Sequence, residues 1–219
     1  VWNGLSGSGE LDLWQMRRVP KADVITTPQP ALATVETPFA NTLGMRFVPV
    51  PIAGGPTDQQ RVLFSVWETR VQDYAAFVKE TAHTWPPPPF EQGPTHPAVN
   101  LSWDDAQDFC RWLTARERRA GVISDKEHYR LPSDHEWSCA EGVARLENAE
   151  ATPRWKGPQQ PDVFLWGREW PPPPDAGNFR SEECLPQATG ASAAPGMVIK
   201  GRRDPFIFTA PVGSFAPGP

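Results

Sequence analysis

Apolar positions along the chain follow a clear rhythm up to about residue 142 and lose it afterwards. Met45, Phe47, Val48 and Val50 make a short apolar strand that turns at PIAGGP, residues 51–56. Residues 61–68, RVLFSVWE, are the strongest strand candidate in the chain, and the two runs together predict a hairpin. Val71, Tyr74, Phe77 and Val78 then recur at helical spacing, with Thr69 and Gln72 in capping-box positions, so a helix is expected from Thr69 to near Ala82. A longer helix is expected from Ser102, whose hydroxyl pairs with Asp105 in another capping box. Its buried stripe is Trp103, Ala106, Phe109, Cys110 and Leu113, and Gly121 ends it.

The densest local instructions lie in residues 129–142, YRLPSDHEWSCAEG. Pro132 biases Leu131 toward an extended conformation, Ser133 and Glu136 form a third capping box, and Gly142 supplies a left-handed terminator for a short helix. Beyond it, residues 143–161 and 186–200 read as long loops, which in a compact domain are functional or tied down by a ligand. FLWG at 164–167 is a short apolar anchor, and PVGSF at 211–215 is predicted as a last strand. The first 37 residues read as an arm or linker, with a strand candidate at 10–16 that would belong to a preceding, fused domain.

Composition changes this picture in one respect. With 27 prolines the chain could be disordered, but 10 tryptophans require packing, so the loops are expected to be ordered. The net charge of -5 and the absence of a basic stripe argue against nucleic acid as a partner. The one dense basic run, at 116–119, falls where cations complement a helix C-terminus and is expected to be solvated. The proline run at 86–89 reads as an ordered surface loop.

Candidate chemistry is sparse on the residues alone. Cys110, Cys139 and Cys184 are too few and too widely spaced for a disulfide framework or a zinc ribbon, and Cys110 reads as a small buried hydrophobe. His83, His96, His128 and His135 lack metal-ligand spacing, and no serine follows G-x-S-x-G. No apolar run approaches the roughly 20 residues that span a bilayer, and VWNGLSGSGE has no signal-peptide pattern.

The order of the pieces carries a resemblance. VWETRVQDYAAFV, HPAVNLSWDDAQDFCRWL, YRLPSDHEWSCA, FLWG, AGNF and TAPVGSF in succession resemble the sulfatase-modifying factor, or formylglycine-generating enzyme, family. HPAVNLSWDDAQDFCRWL and RLPSDHEW are the most specific. The resemblance implies an α+β fold of the C-type lectin-like, formylglycine-generating enzyme type, with two main helices, short antiparallel strands and long irregular loops. It places the domain at 38–219 and implies that it continues past the last residue.

The family also implies a calcium site made by Asn178, the carbonyl of Phe179, Asp204 and Phe206, with Pro205 where glycine is usual. Hard oxygen ligands of this kind suit calcium, and proline removes only an N–H. The residues by themselves also fit a turn asparagine and a surface charge. For authentic enzymes of the family, the resemblance implies oxidation of a sulfatase cysteine to formylglycine with oxygen and copper held by a cysteine pair. None of Cys110, Cys139 and Cys184 matches that pair, so no catalytic residue is assigned. Copper would belong to the missing C-terminal part, and the partner would be a protein or peptide containing cysteine. The alternatives are a catalytically silent scaffold for protein or ligand binding and, third, a sulfoxide synthase of the ergothioneine type. Arg130 and Glu136 are expected to be structural.

Overall fold

The computed structural model describes residues 29–157, 163–187 and 198–216. The strand candidate at 10–16 and most of the loop at 186–200 lie outside them. Three strands, β1 (Phe39–Ala40), β2 (Arg46–Val50) and β3 (Val62–Ser65), form an antiparallel sheet in the order β1-β2-β3. The hairpin expected from the apolar pattern is β2-β3, shorter than RVLFSVWE suggested. Pro49 sits in the middle strand, yet β1 pairs only at Arg46 and Phe47, so among the described residues the edge that Pro49 cannot serve has no strand beside it.

Helix α1 (Val71–Thr81) packs on helix α2 (Trp103–Arg119) through a ring cluster. Tyr74 meets Phe77 at 5.2 Å, Trp85 at 5.0 Å and Phe109 at 5.6 Å between ring centroids, and Phe77 meets Trp112 at 5.5 Å. Phe47 joins the sheet to this layer by packing on Phe39 and on Tyr129. Leu113 completes the core. Ala33, within the tract read as linker, is buried in the same cluster, and the Arg61 guanidinium donates to the carbonyls of Pro30 and Ala33.

Local instructions were obeyed at two of three helix starts. Ser102 with Asp105, and Ser133 with Glu136, make reciprocal capping boxes, and Gly121 and Gly142 follow the helix ends at φ of 70° and 72°. The third start differs. Arg70, not Thr69, caps α1, and its partner is Asp73: the Arg70 guanidinium and backbone N–H both donate to that fully buried carboxylate. Ala82 closes the helix in the left-handed region. On α2, Trp103 is 66% exposed and leaves the expected stripe, because the first turn projects past the ring cluster.

Two further findings revise the sequence reading. The basic run at 116–119 is not simply solvated: Glu117 within it is fully buried and accepts from the Thr42 backbone N–H and hydroxyl, clamping the β1-β2 turn to α2. Arg118 beside it donates to the carbonyls of Asp125 and Glu127. Residues 211–215 form a turn closed by the Ser214 N–H on the Pro211 carbonyl, and among the described residues the Val212 N–H on the Thr95 carbonyl is their one backbone bond to another segment, too little pairing for a strand.

Helix α3 (Asp134–Ala140) arises from the dense motif. Glu136 is fully buried, capping the helix through the Ser133 N–H and taking a two-pronged bond at 2.6 Å from Arg130 and a hydroxyl from Thr57. The Arg130 guanidinium and the capping bonds hold its carboxyl down to about 2. His135 lies on the hairpin loop, 2.9 Å from the Ala53 carbonyl; a Cβ at Gly55 would come within 2.7 Å of its ring, which explains the glycine there. The expected loop after 142 contains a short helix α4 (Pro153–Lys156), whose buried Lys156 bonds Asp134 at 2.7 Å and Glu147 at 2.8 Å. Among the described residues no helix is long and apolar enough to cross a membrane.

Candidate functional site

Two segments from the arrhythmic part of the chain, residues 177–184 and 199–208, lie side by side. Ser181 and Ile199 form a parallel bridge. The Ile199 N–H donates to the Arg180 carbonyl, the Glu182 N–H to the Arg202 carbonyl, and the Asp204 N–H to the Glu183 carboxylate at 3.3 Å. The Asn178 side-chain amide donates to the Phe208 carbonyl at 3.1 Å. All four residues expected to hold calcium therefore lie in one pair of cross-linked loops.

Arg202 organises the surroundings. It is buried, and its guanidinium donates to the carbonyls of Pro172, Pro173, Pro174 and Gly177 while stacking over the Phe179 ring at 4.8 Å. Proline offers carbonyls and no N–H, so a run of prolines can be held by one planar, multi-donor cation. Phe179 in turn meets Trp166 edge-on at 5.4 Å, and Trp166 stacks on Phe164 across the tight turn that closes FLWG. Sequence reasoning did not single out Arg202. Its only signal was a proline run with no donor of its own.

The individual atoms suit a hard cation. Asp204 is buried; its Oδ1 accepts the Phe206 N–H, and its Oδ2 is enclosed with no hydrogen-bond partner among the described residues. A buried carboxylate oxygen left in this way is costly unless a positive group meets it. With the Asn178 nitrogen turned to Phe208, the amide oxygen is the end that can ligate, and the carbonyls of Phe179 and Phe206 add neutral oxygens of the same kind. The surface-charge reading of Asp204 does not hold, since it is 8% exposed. Among the described residues no group of three or more His, Cys, Asp or Glu side chains gathers to hold a metal, so this donor set leans on amide and backbone oxygens.

Above these loops lies a cleft of about 340 Å³ lined by Phe90, Asn178, Phe179, Cys184, Ile207 and Phe208, with Phe90 and Phe208 stacked in parallel at 4.4 Å. The Cys184 thiol donates to the Ile207 carbonyl, and burial together with the neighbouring Glu183 carboxylate raises its pKa. Cys110 is pushed up to about 11 by burial in α2, and Cys139 lies 3.6 Å from the His135 ring nitrogen. All three cysteines are free, and each sits in its own environment. His83 bonds Asp105, and His96 bonds Thr209, tying the long loop before α2 to the 199–208 side.

No match is found among curated proteins. Among solved structures, PvdO from Pseudomonas aeruginosa is similar at 19% identity and a TM-score of 0.42, over 81% of this chain and 65% of that one. The present chain thus spans slightly less than two thirds of the length of that protein. Residues 64–219 match the sulfatase-modifying factor enzyme 1-like domain. The match begins within β3 and takes in the capped helices α1 to α3 and both cross-linked loops, more than half of the sequence, and on that ground the chain belongs to the sulfatase-modifying factor enzyme 1-like family.

Proposed function

We propose that this chain forms a calcium-ordered loop scaffold that presents a cleft to a polypeptide, and that the complete domain acts there on a cysteine of a sulfatase-type protein. The observation that carries the calcium part is the enclosed, unpartnered Oδ2 of Asp204 beside the Asn178-Phe179 loop. Asn178, Asp204 and the carbonyls of Phe179 and Phe206 would hold the ion, which would supply fixed positive charge to the loops below the cleft. The chain's own residues bind and orient: Arg202 fixes the loop backbone, and Phe90 and Phe208 give the cleft an aromatic wall.

Calorimetric titration of the chelator-treated chain with calcium tests this. Binding should be accompanied by a gain of about 2.7 kcal/mol in stability at a hundredfold excess over Kd. Absence of heat and of any rise in Tm would remove the site.

A second reading is a binding scaffold without oxidation, and it rests on the aromatic wall of Phe90 and Phe208, which can hold a polypeptide without a redox group. Copper and oxygen chemistry requires a thiolate pair, which would have to come from outside the residues described. Incubating the full-length protein with copper, oxygen and a cysteine peptide of the sulfatase type separates the two readings. An aldehyde product supports the oxidase. Peptide binding without conversion supports the scaffold.

A further inference from the structure

We propose that Glu183 is the second carboxylate of the calcium site, supplying charge to it alongside Asp204; this rests on the calcium reading above. Glu183 was not among the expected ligands, yet among the described residues its carboxylate bonds the backbone on both sides of the site. Its Oε1 accepts the Ser181 N–H at 3.1 Å, and its Oε2 accepts the Asp204 N–H at 3.3 Å. That places a carboxylate against the residue whose own Oδ2 is enclosed without a partner. A carboxylate bonded to the backbone of Asp204 adds negative charge beside an enclosed carboxylate oxygen, and a divalent cation held by both would make that arrangement favourable.

Neighbouring arginines are directed elsewhere in two cases. Arg202 spends its terminal nitrogens on four carbonyls, and Arg203 points toward Glu182 at 3.6 Å. The expected set contains only one formal charge, that of Asp204. Calcium affinity rises with the number of charged ligands, so a second carboxylate would strengthen the site without changing its backbone.

The test uses calorimetric calcium titrations of the full chain after chelation, on the wild type, Glu183→Gln and Asp204→Asn. Glutamine removes the charge and keeps one acceptor oxygen, so one of the two backbone N–H bonds of Glu183 is lost with it. Both variants should weaken calcium binding tenfold or more, while their Tm in chelator falls by no more than the loss of one hydrogen bond. Calcium binding by Glu183→Gln at wild-type strength, with Asp204→Asn impaired, would overturn the role of Glu183 and leave the site standing. No binding by the wild type would remove the site itself. If Glu183→Gln fails to fold, Glu183→Asp carries the test: it keeps the charge and should retain affinity within about tenfold of wild type, and a larger loss would overturn the charge role.

Discussion

The two halves of this molecule order their backbones by different means. In residues 39–140 apolar rings from α1, α2 and the sheet interlock, and buried carboxylates cap helices and tether turns: Asp73 to Arg70, Glu117 to Thr42, Glu136 to Arg130 and Thr57. Among the described residues of 163–216 helix and strand are nearly absent, and the backbone is held by side chains that reach across it, above all Arg202 on four carbonyls and Glu183 on two N–H groups. Apolar burial is non-directional and tolerates relaxation, whereas a guanidinium on fixed carbonyls works only in one geometry. The second half is therefore the part whose order should depend on single polar groups and on a bound ion.

The largest effect that tests this contrast should come from the first half. Leu113→Ala removes a side chain that is 1% exposed and should cost about 3 to 5 kcal/mol, lowering Tm of the whole chain whether or not calcium is present. Recovery of that loss by calcium would mean that the halves are not energetically distinct.

Glu136→Gln should follow, on the order of 3 kcal/mol, because it leaves Arg130 without its charged partner at a buried site. The pH dependence gives the sign. The carboxyl is held down in the folded chain to about 2 from its ordinary 4.5, so its contribution is complete above about pH 4.5 and is lost as pH falls toward 2. Denaturant titrations between these values should show the wild type losing stability faster than the variant, and equal slopes would remove the argument.

The smallest global effect, about 2 kcal/mol, should belong to Arg202→Lys, whose ammonium has three donors and no planar fork for the proline carbonyls. Its signature is local. Hydrogen exchange should quicken in 177–184 and 199–208 while protection in α1 and α2 persists, and uniform quickening would instead join the two halves into one cooperative unit.

Much of the first half was legible because its signals are short in range. Ser102 with Asp105 and Ser133 with Glu136 lie three residues apart, and the helix ends at Gly121 and Gly142 need only a positive φ. Arg70 with Asp73 was missed because an arginine cap depends on burial of its carboxylate partner, which only the packing of α1 provides. Trp103 and Glu117 were misread for a related reason. Periodicity assigns a face, but which turn of α2 reaches the core and which charge meets Thr42 depends on where the sheet lies. In the second half, Asn178, Phe179, Asp204 and Phe206 came from the order of motifs rather than from any local pattern.

The sequence by itself determined where α2 and α3 start and stop, which strands pair as a hairpin, and which family the succession of motifs belongs to, since each is encoded in neighbouring residues or in their order. Only the tertiary structure decided that Arg202 gathers a proline run, that Asp204 is buried with a free oxygen, and that Glu183 lies against it. Those facts join residues about 20 to 30 positions apart through loops without periodicity, and a polar contact across such a gap is fixed by the fold of the intervening chain.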